Sequence, residues 1–134
     1  MNPQTNRDIT EDLRRRVLDA AETHTPLAIR GGGSKAFYGR SSAGEPPDVA
    51  AHRGIVSYEP TELYLTARAG TPLAEIEAAL ADGGQMLGCE PPAWGPAATV
   101  GGMVATGLSG PRRPYAGSVR DYVLGVKVLN GRGE

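Results

Sequence analysis

Three adjacent glycines, Gly31-Gly32-Gly33, follow at once on the short apolar run Leu27-Ala28-Ile29 and lead into Ser34 and Lys35. This order constrains the fold more than any other feature of the chain. Glycine has no Cβ, so the backbone here can take positive φ and let another group come close. Successive N–H groups in such a turn can converge on one anion. Ser34 adds a hydroxyl donor and Lys35 a positive charge. A hydrogen bond to a charged partner contributes roughly 1.5–3 kcal/mol, so several of these donors together would hold a pyrophosphate. The competing reading is a flexible turn between a strand and a loop, because glycine runs are common punctuation. The run has neither the spacing of a Walker loop nor that of the Rossmann fingerprint. A nucleotide held here is held in another fold.

The donors have to be local. Net charge is −1 over 134 residues, so no global field draws nucleic acid or an anionic membrane. The 40% hydrophobic and 22% charged composition suits one globular domain with a buried core. The 19 glycines and 11 prolines are spread without a period, which implies many tight turns. Cys89 stands alone, so no internal disulfide forms, in keeping with a reducing compartment. Met1 to Arg16 is polar and charged and carries no secretory signal. No run approaches the roughly 18 apolar residues of a membrane helix. These features point to a soluble cytoplasmic protein.

The pattern predicts a helix from about Ile9 to Thr23, with Asp8 and Glu11 as a capping box. Leu13, Val17, Leu18 and Ala21 would line one face, and Arg14, Arg15 and Arg16 would face water. Short strands are predicted at Leu27–Ile29, Val49–Ala51 and Ile55–Tyr58, with a stronger alternating one at Leu63–Ala69. Thr71 is placed to cap a second helix with Pro72 at its first position, Leu73, Ile76 and Leu80 as its buried stripe, and Gly83-Gly84 at its end. Gln85–Leu87 is a further candidate strand, and Val123–Leu129 reads as a clear one. The class is mixed α+β. Asn130-Gly131 is a hairpin signal with only Arg132, Gly133 and Glu134 after it. The expectation is a fragment whose last strand lacks its return partner.

The second unusual stretch runs from Pro91 to Gly107. Prolines stiffen its first part around Trp94. Thr99 is placed to cap a short helix over Thr99–Thr106, and Gly101 and Gly102 would let a flat or bulky group pack against it. Close packing of that helix on a sheet is the alternative. Arg112 and Arg113 read either as an exposed basic pair or as a contact for phosphate, substrate carboxylate or a partner subunit. Asp121 either pairs with Arg120 or caps a turn. Cys89 has no neighbouring ligand set, and His24 and His52 sit in no motif. Neither a metal site nor a catalytic triad emerges.

Taken together, these segments resemble the flavin-binding fold of the vanillyl-alcohol oxidase and p-cresol methylhydroxylase family. Arg30 to Lys35 matches that family's first glycine loop, and Thr99 to Ser109 its Thr-Val-Gly-Gly segment. The motifs Ser34-Lys35-Ala36-Phe37, His52-Arg53-Gly54-Ile55-Val56, Pro60-Thr61-Glu62-Leu63, Cys89-Glu90-Pro91-Pro92, Gly110-Pro111-Arg112-Arg113-Pro114 and Gly117-Ser118-Val119-Arg120-Asp121 are similar to those of the FAD-binding subunits of bacterial glycolate oxidases, also called glycolate dehydrogenases. The resemblance covers nearly the whole chain. It implies a p-cresol methylhydroxylase-type FAD-binding domain, incomplete at its C-terminus. Residues 1–70 would form the first subdomain, with the pyrophosphate loop, and residues 71–134 the start of the second.

The resemblance further implies FAD as cofactor, contacted by Arg30, Gly31, Gly32, Gly33, Ser34 and Lys35 from the first loop. Ala98, Thr99, Gly101, Gly102, Thr106 and Ser109 would contribute from the second segment, followed by Gly117. Some relatives attach flavin through a His in or near the first loop; here that loop carries Ser34 and Lys35, so the FAD is expected to be non-covalent. The implied activity is oxidation of glycolate to glyoxylate, in a complex with a second flavin subunit and an iron–sulfur subunit. Membrane association would come only through that complex. Another 2-hydroxy acid such as D-lactate is the alternative substrate. A scaffold subunit that binds little or no FAD is the alternative of another class. The catalytic residues are not assigned.

Overall fold

The computed structural model describes residues 6–40 and 43–134. Helix α1 spans Thr10–Glu22, one residue shorter at each end than its pattern predicts. Asp8 acts at its start, but through Thr10: Asp8 Oδ1 accepts from the Thr10 backbone N–H (3.0 Å) and hydroxyl (2.7 Å). The capping box with Glu11 does not form, since the Glu11 carboxylate lies 3.9 Å from Arg14 instead. No residue of α1 is buried. The helix is held by polar ties: Arg7 and Arg53 exchange backbone hydrogen bonds (2.8 and 3.1 Å), Asp8 pairs with Arg68 (3.1 Å), and the Ile9 N–H donates to His52 Nδ1 (3.2 Å). Arg14, expected to face water, donates from Nε to the Gly133 carbonyl (2.9 Å).

Leu27–Ile29 does not form a strand of its own. It makes parallel bridges, Leu27 to Glu45 and Arg30 to Asp48. Val49–Ala51, predicted as a strand, is a single 3-10 turn. The reason lies in its neighbours: the carbonyls of Val49, Ala50 and His52 close around Gly70, where a Cβ would sit 2.4–2.7 Å from them. A straight strand could not wrap that glycine. Strands β1 (Ile55–Glu59) and β2 (Tyr64–Ala67) pair antiparallel as a hairpin, with Ser57 opposite Thr66 and Glu59 opposite Tyr64. Leu63, at φ 58°, belongs to the turn and not to the strand.

Helix α2 covers Leu73–Asp82 and buries the predicted stripe of Leu73, Ile76 and Leu80. Its start differs from expectation. Pro72 is the N-cap residue, and Thr71 makes no cap. The Thr71 hydroxyl is fully buried and ties β1 to the β2 exit: it accepts from the Gly54 N–H (2.9 Å) and donates toward the Arg68 carbonyl (2.7 Å). Gln85–Leu87 is not a strand. Gln85 instead bridges the hairpin, accepting from the Tyr58 hydroxyl (2.7 Å) and donating to the Pro60 carbonyl (2.8 Å).

Helix α3 (Val100–Thr106) agrees with its sequence signal. A one-turn helix α4 (Arg113–Ala116) and a 3-10 turn (Val119–Tyr122) follow, neither of them predicted. The core gathers Leu73, Cys89, Ala98, Met103 and Val119 under Val100 and Val123. Val123–Leu129, expected as a strand, pairs with no strand among the described residues. Its Leu124, Val126 and Val128 are 85%, 65% and 68% exposed. Asn130-Gly131 does turn the chain: the Asn130 N–H donates to the Glu134 carbonyl (2.9 Å). Among the described residues no helix is long and apolar enough to cross a membrane.

Candidate functional site

The two glycine segments, far apart in sequence, meet in space. A strip of backbone fixes the second one. Pro72 bridges Thr99 in antiparallel fashion, and the Leu73 N–H donates to the Ala98 carbonyl (2.8 Å). The Val100 N–H donates to Thr71 (2.9 Å) and the Gly101 N–H to Ala69 (2.8 Å). The first loop lies against this strip. A Cβ on Gly32 would fall 1.5 Å from the Ala97 carbonyl oxygen, and one on Gly31 would fall 2.9 Å from Thr99 Oγ1. No side chain fits at either place. Gly33 has φ 69°, in the left-handed region that glycine favours.

This close approach changes the reason for one sequence expectation. Glycine at position 32 makes room for the neighbouring backbone, rather than only for a ligand. What remains open is the donor set. The backbone N–H groups of Gly31, Gly32, Gly33, Ser34 and Lys35 donate to no backbone acceptor among the described residues. The carbonyls of Gly33 and Lys35 close the turn by accepting from Ala36 (3.1 Å) and Tyr38 (2.9 Å). Beyond the turn, the Phe37 ring meets Trp94 edge-to-face with centroids 5.2 Å apart, and Lys35 Nζ lies 5.5 Å from the Trp94 ring centre. Arg30 is exposed at its bridge to Asp48. A pyrophosphate would suit such a run of donors without backbone partners among the described residues, three of them on glycine, with Lys35 on the same loop.

The second segment has spent its polar groups internally. Thr99 Oγ1 accepts from the Gly102 N–H (3.2 Å), the predicted cap. The Thr106 hydroxyl donates back to the Gly102 carbonyl (2.8 Å). A Cβ on Gly101 would meet the Ala69 carbonyl at 2.7 Å, so this glycine serves helix packing. Ala98 is 2% exposed, and its backbone is bonded at both ends. The outer side of α3 keeps Val104, Ala105 and Gly107 exposed. Ser109 supports the next turn, its Oγ accepting from the Val119 N–H (3.4 Å). Gly117, at φ 83°, ends α4.

Asp121 caps a turn and also lies 3.6 Å from Arg120 Nε, so both of its readings hold. Its Oδ2 accepts from both the Ser118 N–H (2.8 Å) and the Ser118 hydroxyl (2.7 Å). These bonds hold its carboxyl below the usual carboxylate range. Arg112 is not a free cation: it pairs with Glu90 through Nε (3.3 Å), and its N–H donates to the same carboxylate (3.0 Å). Arg113 and Arg120 remain exposed. Burial raises the Cys89 thiol above its ordinary value, as suits a core residue. Among the described residues no group of His, Cys, Asp and Glu could hold a metal ion. Sequence alone assigns no separate role to Trp94, Phe37 and Glu90; the signal at hand is a lone tryptophan in the proline-rich segment.

The family model for an FAD binding domain matches residues 8–134. The chain belongs to this family of FAD-binding domains. FAD is accordingly its cofactor, and the domain is α+β. Over 127 residues it is 58% identical to the protein named glycolate oxidase subunit GlcE of Escherichia coli (strain K12), a match covering 95% of this chain and 36% of that protein. Over 75 residues it is 29% identical to the mitochondrial D-lactate dehydrogenase [cytochrome] 1 of Saccharomyces cerevisiae (strain ATCC 204508 / S288c), covering 56% of this chain and 12% of that one. The chain thus spans about a third or less of the length of the curated relatives it matches.

Proposed function

We propose that the chain is the cofactor-binding part of a flavin-dependent subunit that oxidises glycolate to glyoxylate. The carrying observation is the 58% identity with a glycolate oxidase subunit across 95% of the chain. The geometry supports it: the glycine loop is an open set of donors among the described residues, pressed against the second segment. In this reading Gly31 to Lys35 hold the FAD pyrophosphate through their N–H groups, and Arg30 and Lys35 balance its charge. The segment from Ala98 to Ser109, with Gly117, lines the cofactor. When bound, FAD would supply an acceptor for the hydride equivalent that leaves the alcohol carbon as the hydroxyl gives up its proton. The chain's own part is to bind and orient it. The FAD is non-covalent, the complex adds a second flavin subunit and an iron–sulfur subunit, and the assembly is cytoplasmic.

Spectroscopy on the purified full-length protein tests this. A flavin band near about 450 nm is expected, and glycolate added without oxygen should bleach it. Bleaching by D-lactate alone would move the substrate to the other reading, which the weaker yeast match favours. No band at all would leave a scaffold. Acid precipitation should leave the yellow colour in the supernatant; colour in the pellet contradicts non-covalent binding.

A further inference from the structure

We propose that Trp94 is a positioning residue for the cofactor: with Phe37 and Lys35 it forms a clasp that closes the glycine loop onto the proline-rich segment and sets how long FAD stays bound. This rests on the FAD reading above.

Two independent contacts join the same two stretches of chain. One is the backbone fit of Gly32 on Ala97. The other is the aromatic pair, Phe37 from the first loop and Trp94 from the second, at 5.2 Å and 77° between ring planes. Such an edge-to-face pair adds attraction beyond the area it covers. Lys35 Nζ, 5.5 Å from the Trp94 ring centre, is within cation–π reach. Yet neither ring belongs to the core. Trp94 is 47% and Phe37 70% exposed. Two large exposed aromatics that meet across separate loops do little for the fold. They fix one loop relative to the other.

The loop they fix is the one whose N–H donors have no backbone partner among the described residues. A mobile loop must be ordered when it binds an anion, and that ordering weakens binding and speeds release. The clasp orders it in advance. It also holds the Lys35 ammonium over the Trp94 ring, on the same loop as the donors. The Trp94 ring therefore acts on the cofactor through Lys35 and the loop, without touching it.

Trp94 is the sole tryptophan of these 134 residues, and in the full-length protein its emission is isolated as the difference between the spectra of wild type and Trp94→Phe. The sample is full-length protein with and without FAD. Trp94→Ala is expected to release FAD about tenfold faster. Trp94→Phe keeps an aromatic partner for Phe37 and should recover most of the lost residence time. Melting of FAD-free Trp94→Ala should match wild type. In FAD-free protein, Phe37→Leu should shift the Trp94 emission. An unshifted emission would refute the clasp whatever FAD does. Normal FAD release from Trp94→Ala, with wild type binding FAD, would refute its role while leaving the FAD reading intact. A lowered melting point that Trp94→Phe fails to rescue would reduce Trp94 to packing. Wild type that binds no FAD would overturn the FAD reading, and the proposal with it.

Discussion

The two glycine segments use the same residue for opposite ends. In the second, Gly101 is packed on Ala69, the Gly101 and Gly102 N–H groups are both bonded, and the segment sits over the buried core at Met103. In the first, the glycines touch the neighbouring backbone, yet their N–H groups stay unpaired among the described backbone acceptors. Its flanks are open too, with Ile29 82% and Phe37 70% exposed. Gly31 to Lys35 are exposed or only partly buried, so these donors are open to water or, in the proposed reading, to the cofactor phosphates. One segment is a wall and the other a hand.

The comparison makes separable predictions. The largest effect is expected from Gly32→Val. Its Cβ would overlap the Ala97 carbonyl, so the loop must lift away. FAD affinity in the full-length protein should fall at least tenfold, about 1.4 kcal/mol, while the melting temperature without FAD changes little. Flavin titration and thermal unfolding measure the two. Unchanged affinity would show a turn and nothing more.

Gly101→Val should reverse that balance. The added carbons press on Ala69 from inside the fold. Overpacking of this kind costs about 1–3 kcal/mol of stability. Melting should drop clearly before any specific loss of FAD is seen. If both variants behave alike, the contrast between wall and hand collapses.

Thr99→Ala sharpens the contrast at one residue. It removes the α3 cap, worth about 1 kcal/mol, and relieves the contact with Gly31. Thr99→Ser should restore the stability, because the hydroxyl makes the bond. Chemical unfolding of the three proteins decides it; a Ser variant as weak as Ala would assign the role to the methyl group.

The smallest effect is the pH dependence that Asp121 adds on the wall side, beside the one that Asp8 adds at the start of α1. Ser118 holds the Asp121 carboxyl below its ordinary value of 3.8. A depressed carboxyl adds stability above that ordinary value, and the contribution disappears as pH falls through the folded one. The 3-10 turn beneath Val119 should therefore loosen only below about pH 4. Asp121→Asn should flatten that acid limb in melting curves recorded against pH. An identical limb in the variant would place the acid sensitivity elsewhere.

Local signals in the sequence were sufficient for features that a few neighbouring residues control. The α2 stripe of Leu73, Ile76 and Leu80, the Thr99 cap and the Asn130-Gly131 turn are of this kind, since helical period, a hydroxyl and an Asn-Gly pair act within one turn of chain. Tertiary structure decided the rest. Leu63–Ala69 and Val123–Leu129 both look like strands, but only part of the first finds a partner, because a strand exists through hydrogen bonds to another stretch. Val49–Ala51 became a 3-10 turn because it curls over Gly70. Thr71 left its cap position to satisfy the buried groups of Gly54 and Arg68. The seating of Gly32 on Ala97 could not be read in advance either, since nothing in a sequence states which backbone will lie where a Cβ is missing.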